Sequence, residues 1–205
     1  MIRLRGVTKR FGEQVVLDAL DLDLLAPGVT AVTGPNGSGK TTLGRLLLGL
    51  DRPDAGSLDG LAGRRRAAVF QEDRLCEQLS AVGNVRLVLP RGVPVSAVVA
   101  ALRAVGLDDD ALAKPVRDLS GGQRRKVAVV RGLMPGADLV VLDEPFTAID
   151  AGTKPQVMEW VRSRCASATT LLITHDLVEA AFFDAALVRL TASGGLSEAH
   201  RDGPS

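Results

Sequence analysis

The chain has 205 residues, 46% apolar and 24% charged, which is enough to bury one well-packed domain and too apolar for disorder to be its default. Its 25 basic and 24 acidic residues leave a net charge of +1, so no overall field draws it to nucleic acid or anionic lipid, and 3% aromatic content without tyrosine argues against base-stacking platforms. Cys76 and Cys165 lack metal-ligand spacing and nothing at the N-terminus reads as a signal peptide, so a reducing cytosol is the expected home. The stretch from Leu87 to Leu107 is broken by Pro90, Arg91, Pro94 and Arg103, too often for a membrane span of about 20 residues.

Residues 2 to 33 alternate apolar and polar positions, punctuated by Gly6, Gly12, Pro27 and Gly28, which predicts a small antiparallel β region leading into a strand at Val29 to Thr33. A helical run from Thr42 to Leu50 follows. Ala67 to Phe70, Leu139 to Leu142 and Thr169 to Thr174 are short, almost continuous apolar runs, as expected of parallel strands covered on both faces. Residues 75 to about 117 hold helical segments such as Val95 to Val105 and no convincing strand, and read as a helical insertion. Val157, Val161 and Cys165 recur at four-residue spacing on a further helix, with Trp160 expected in the core. The alternation of strands and helices predicts an α/β fold with a mainly parallel sheet flanked by helices. The expected domain is 1–192, with 193–205 a flexible tail. Two basic runs, Arg64-Arg65-Arg66 and Arg124-Arg125-Lys126, are expected on solvated faces.

Gly34-Pro35-Asn36-Gly37-Ser38-Gly39-Lys40-Thr41 joins a predicted strand to a predicted helix, the order a Walker A phosphate loop requires, because backbone N–H groups and the helix N-terminus must converge on the same phosphates. Lys40 would reach β- and γ-phosphate oxygens, Thr41 would offer its hydroxyl to Mg²⁺, and Thr42 an α-phosphate contact. Asp143 and Glu144 end a buried strand, where acids are costly unless a cation faces them; Asp143 would hold the magnesium and Glu144 act as general base toward water. His175 ends another strand at the sheet edge where α/β folds place ligands, and a γ-phosphate contact is its expected role; Asp176 is a plausible helix start. Gln71 directly follows the strand Ala67 to Phe70. A second glycine-rich segment, Asp118-Leu119-Ser120-Gly121-Gly122-Gln123, also opens a helix and looks suited to phosphate. One small domain has no evident use for two such loops.

Together, GPNGSGKT at 34–41 and LSGGQ at 119–123 resemble the ATP-binding subunit of ABC transporters, and the resemblance runs from about Ile2 to Leu190. It implies a P-loop NTPase fold and explains the second loop: two subunits stack head to tail, and Ser120, Gly121, Gly122 and Gln123 of one close over the nucleotide held by Gly34 to Thr42 of the other. It further implies that Phe11 stacks on adenine, with a core phenylalanine as the alternative. Gln71 matches the residue that senses Mg²⁺ and communicates with the membrane domain, Asp150 the aspartate that crosses the dimer interface, and His175 the switch histidine. The Asp150 segment departs from the usual pattern, which begins with serine and ends Leu-Asp. Lys126, Val130 and Gly132 depart from the usual helix after the signature.

The implied function is a Mg²⁺-dependent ATPase that drives a separate integral-membrane permease, itself served by a solute-binding protein, from the inner face of the cell membrane. Its nucleotide is ATP, and the partner cassette is either identical or different. Val69-Phe70-Gln71-Glu72 and Asp143-Glu144-Pro145-Phe146 resemble importers of the nitrate, sulfonate, taurine and thiamine type. Export, an ABC-type ATPase acting on nucleic acid or ribosomes, and a kinase-like phosphotransferase are the alternatives. The last leaves LSGGQ unexplained, and no nucleic-acid partner is expected.

Overall fold

The computed structural model describes residues 1–197 as two compact units, the first formed by residues 1–66, 137–144 and 165 onward, the second by residues 67–136 and 145–164. In the first unit, β1 (Ile2–Phe11) pairs antiparallel with both β2 (Gln14–Leu24) and β4 (Ala55–Asp59). β4 was not evident from the sequence. Its residues are mostly exposed and carry no apolar alternation, so the ladder to β1 is what makes them a strand.

The parallel sheet of this unit runs β6 (Leu139–Asp143), β7 (Thr169–Ile173), β3 (Gly28–Thr33) and β8 (Ala186–Leu190), with β9 (Leu196–Ser197) closing antiparallel on β8. All five residues of β6 and of β7 are buried, which is why both read as continuous apolar runs. Helix α1 (Lys40–Leu48) presses Leu43, Leu46 and Leu47 into a core with Leu17, Val141, Leu171 and Ile173. Gly44 permits the approach, since a Cβ there would lie 2.9 Å from Val141 Cγ1. Each fully buried leucine contributes on the order of 1.5–3 kcal/mol from apolar burial. Within the stretch expected as a tail, residues up to 197 are hydrogen-bonded: Thr191 N donates to Gly195 O at 2.9 Å, and Leu196 and Ser197 pair with Leu190 and Arg189. The rest of that expectation, 198–205, lies outside the described residues.

The second unit is wider than the helical segment 75–117. It holds β5 (Arg66–Val69), α2 (Ala81–Arg86), α3 (Val95–Ala104), α4 (Asp109–Ala113), a 3-10 turn (Val116–Asp118), α5 (Gly121–Leu133) and α6 (Lys154–Cys165). Asn84, fully buried, ties the start of the helical segment: its Oδ1 accepts from Cys76 N, and its Nδ2 donates to the carbonyls of Cys76, Leu79 and Ser80. Every polar atom of that amide is thereby satisfied, as burial demands. Val116 N donates to Leu79 O at 2.9 Å and fastens the segment's far end to its beginning. Along α6, Val157, Trp160, Val161 and Cys165 are buried at the predicted spacing. Helix α7 (Leu177–Phe182), in the first unit, starts at an Asp176 cap whose Oδ1 accepts from Val178 N at 2.9 Å.

The basic run at α5 corrects its sequence expectation. Arg65 and Arg66 are exposed and Arg64 is half-buried, but Arg125 and Lys126 are only 3% and 4% exposed. Each is buried because acidic and carbonyl oxygens converge on it. Lys126 Nζ lies 3.5 Å from Asp150 Oδ2, and Arg125 bonds to Asp73 and to main-chain carbonyls.

Candidate functional site

In the first unit, the loop from Gly34 to Gly39 leaves β3 and enters α1. Gly34, Gly37 and Gly39 have φ of 146°, 80° and 91°, conformations that side-chain-bearing residues rarely adopt. Gly39 occupies the cap position of α1 and offers no side-chain acceptor, so the helix's first N–H groups face outward uncapped. Ser38 is 1% exposed and its Oγ has no hydrogen-bond partner. Leaving such a hydroxyl unsatisfied costs about 1–3 kcal/mol, which a phosphate oxygen at this helix N-terminus would offset. The loop therefore fits a phosphoryl group on grounds independent of its motif. Lys40 Nζ donates to Gly34 O at 2.9 Å and Pro35 O at 2.8 Å, folding the ammonium back over the loop.

Thr41 Oγ1 donates to Asp143 Oδ2 at 2.7 Å, joining the first turn of α1 to the end of β6. Asp143 is buried, and two oxygen donors side by side suit a hard divalent cation. Among the described residues no group of three or more His, Cys, Asp or Glu side chains could hold a metal, so any cation here depends on hydroxyl, water and phosphate oxygens as well. The next residue, Glu144, has φ 47°, and its N–H donates to Ile173 O at 2.9 Å. That bond fixes the turn and directs the side chain to His175, whose Nδ1 lies 3.0 Å from Glu144 Oε1. The His175 side chain is otherwise 80% exposed. Its pKa is raised above the usual 6.5, first by the hydrogen bond to Glu144 and then by that carboxylate's charge. A cleft of about 560 Å³ lined by Thr33, Gly34, Pro35, His175, Leu177, Leu187 and Arg189 opens beside the loop. Phe11, at the end of β1, is 52% exposed, with Lys9 Nζ 5.4 Å from its ring centre, so it is no core residue. Thr42 is half-buried in the first turn of α1.

Gln71, Ser120 to Gln123 and Asp150 belong to the second unit. Ser120 caps α5: its Oγ accepts from Gln123 N at 3.2 Å while Gln123 Oε1 accepts from Ser120 N at 2.9 Å, a capping box. The hydroxyl still has its own O–H to donate, and Ser120 and Gly121 are exposed. Gly122 lies against the turn that follows Phe146, where a Cβ would come within 2.7 Å of Ala148 O. Asp150 holds Thr153 through Oδ1 and Oδ2 and meets Lys126; its pKa is lowered, chiefly by the Thr153 hydroxyl. Gln71 is exposed after β5, and its carbonyl accepts from Arg125 Nη1 at 3.3 Å.

The sequence reading missed Arg125 and Asp73. Arg125 Nη1 donates to Asp73 Oδ1 at 3.0 Å, with both side chains largely buried. The available signal was phase: Arg125 precedes Val129 by four residues and Gly132 by seven, on the apolar stripe of α5.

A family model described as ABC transporter matches residues 17–147. The chain is 44% identical over 181 residues to aliphatic sulfonates import ATP-binding protein SsuB 1 of Pseudomonas syringae pv. tomato, covering 87% of this chain and 66% of that protein. It is 42% identical to SsuB 3 of Paraburkholderia xenovorans, with 87% and 72% covered, and 41% identical to SsuB of a Mycobacterium species, with 88% and 75% covered. The chain thus spans about two thirds of the length of these curated relatives. Among solved structures, the dimeric structure of MJ0796, a bacterial ABC transporter cassette, superposes with a TM-score of 0.86 at 26% identity, covering 99% of this chain and all of that one. A post-hydrolysis dimer of the same cassette bound to ADP and Pi gives 0.85 at 25% identity, with the same coverage.

Proposed function

Because this chain belongs to the ABC transporter family, we propose that it is an ATP-binding, ATP-hydrolysing subunit that energises a separate membrane permease, an importer of a small solute. The observation that carries the ATPase reading is the orphaned Ser38 hydroxyl beneath an uncapped helix N-terminus, with Thr41 and Asp143 joined beside it. Relatives named for aliphatic sulfonate import support import over export. Among the described residues no helix is long and apolar enough to cross a membrane, which fits a subunit whose membrane role is borrowed. On this reading the chain works at the cytoplasmic face of the membrane, bound to the permease.

The residues divide the work. Backbone N–H groups from Gly37 onward and the Ser38 hydroxyl bind phosphate oxygens, and Lys40 leaves the Gly34 and Pro35 carbonyls to join them. Phe11 offers an exposed ring for the adenine. Mg²⁺, which Thr41 and Asp143 would hold, would supply charge neutralisation at the phosphates. Glu144 accepts the proton of the attacking water, and His175, held on Glu144, aims that carboxylate. The Ser120 O–H and the N-terminus of α5 donate to nucleotide bound on a second ATPase subunit, and Asp150 lies toward that partner.

Glu144→Gln should retain ATP binding, abolish turnover and leave a long-lived ATP-bound dimer. Mixing Lys40→Ala with Ser120→Ala chains should restore turnover, because each pair regains one intact pocket. Silence from the mixture despite demonstrated pairing would overturn the shared-site reading. Copurification from solubilised membranes with a multi-span protein would support the transport role; copurification with rRNA or DNA would refute it.

A further inference from the structure

We propose that Arg125 is a positioning residue for the ATPase reaction: its buried guanidinium fastens the main chain around Gln71 to the first turn of α5, so that Gln71 and the Ser120–Gln123 loop keep a fixed relation. The inference rests on the ATPase reading above for the roles of those two segments, and on geometry within the second unit for the rest.

Arg125 Nε donates to Pro145 O at 2.9 Å, and Nη1 to Phe70 O at 2.5 Å, Gln71 O at 3.3 Å and Asp73 Oδ1 at 3.0 Å. One side chain, 4% exposed, thereby spans three segments: the residues flanking Gln71, the residue after Glu144, and the helix that Ser120 caps. A buried cation is tolerated only where acceptors surround it, so its position is dictated from several sides at once. A second arginine of α5 extends the same grip. Arg131 donates from Nη2 to Asp73 O at 2.6 Å and from Nη1 to Arg74 O at 2.8 Å, and burial lowers its pKa.

Four of the five carbonyls from Phe70 to Arg74 are therefore held by arginines of one helix. The turn itself lies outside any helix or strand, and Arg74 sits at φ 45°. Its shape is imposed from α5. The helix also touches the end of β5 backbone to backbone, since a Cβ on Gly132 would meet Ala68 O at 2.6 Å. Holding the carbonyls leaves the Gln71 side chain exposed and free to engage a ligand while its origin is fixed. Two residues before Arg125, Gln123 closes the capping box with Ser120. A displacement of the Gln71 main chain therefore pulls on the first turn of α5 through a single planar group with directional bonds, which an apolar side chain of equal volume could not provide.

The test uses the full chain. Arg125→Met preserves volume and removes every donor; Arg125→Lys preserves charge. Arg125→Met should bind a fluorescent ATP analogue within about twofold of wild type, while kcat falls by roughly 10- to 100-fold, the loss expected when a reacting group is displaced by about 1 Å. Arg125→Lys should recover part of that loss. In a Gln71→Ala background, Arg125→Met should cost little more, because both act through one element. Hydrogen exchange at the Phe70–Arg74 amides should accelerate in Arg125→Met with protection elsewhere unchanged. Unchanged kcat, a multiplicative loss with Gln71→Ala, or unaltered exchange would each overturn the proposal. Should Arg125→Met fail to fold, Asp73→Asn keeps the carbonyl bonds and should show the same effects in smaller measure; wild-type kcat and exchange in that variant would overturn it equally. Wild-type protein without turnover would count against the ATPase reading instead, and the exchange measurement tests the clamp without requiring turnover.

Discussion

Two glycines of one loop allow the cost of conformation to be separated from the cost of contact. Gly37 and Gly39 both have left-handed φ, 80° and 91°, but a Cβ on Gly37 would meet nothing within 4 Å. On Gly39 it would lie 2.7 Å from Leu17 Cδ2 and 2.8 Å from the Val16 carbonyl oxygen, which belongs to β2 and cannot swing aside as a side chain could. Gly37→Ala should therefore cost about 1–2 kcal/mol for the backbone alone. Gly39→Ala should cost that plus about 1–3 kcal/mol of overpacking, about 2–5 kcal/mol in all. For a chain of this size each kcal/mol lowers Tm by about 2–4 °C. Urea denaturation at constant m-value, with thermal melts alongside, measures both variants. Because the alanine methyl can be accommodated only by lifting the loop off β2, Gly39→Ala should also weaken binding of a fluorescent ATP analogue. Equal midpoints for the two variants would refute the claim that β2 holds the phosphate loop down.

Ser120→Ala breaks the capping box and should destabilise the chain by about 1 kcal/mol in urea denaturation; no change would show that α5 does not depend on its cap. His175, one of two histidines in the chain, should titrate above 6.5 by NMR, and Glu144→Gln should bring its midpoint back down. The sign follows from the raised folded value: the His175–Glu144 contact contributes fully below the unfolded pKa and is lost as pH rises through the folded one. Burial pushes the Cys165 thiol up to about 11, so an alkylating reagent near neutral pH should label exposed Cys76 alone and reach Cys165 only after unfolding.

What the sequence revealed of the fold follows from which faces are covered. β6 and β7 are buried on both sides, so burial alone wrote an uninterrupted apolar run into each. β8 was missed because its five residues mix exposed and buried positions, Ala186 and Arg189 being exposed, and β9 because two residues carry no period. The loop at residues 34–41 was legible because its turns place Gly34, Gly37 and Gly39 at positive φ, where glycine is favoured. The Thr41–Asp143 bond was legible only as a shared ligand role assigned to both residues, since their separation of 102 positions leaves no mark in spacing.

The buried arginine shows where such reading stops. Three consecutive basic residues look solvated because charge is weighed as a run, but a helix separates neighbours by about 100° and places them on different faces. Arg124 is half-buried while Arg125 and Lys126 point inward, and only the stripe shared with Val129 and Gly132 betrays the difference. Even with the phase recognised, the partners would stay hidden. Arg125 is held mostly by main-chain carbonyls of Phe70, Gln71 and Pro145, and a carbonyl is the same at every residue type. Composition therefore records the cation and, through Asp73, one of its acceptors; the others exist only once the chain has folded and brought a turn some 54 residues away against the helix.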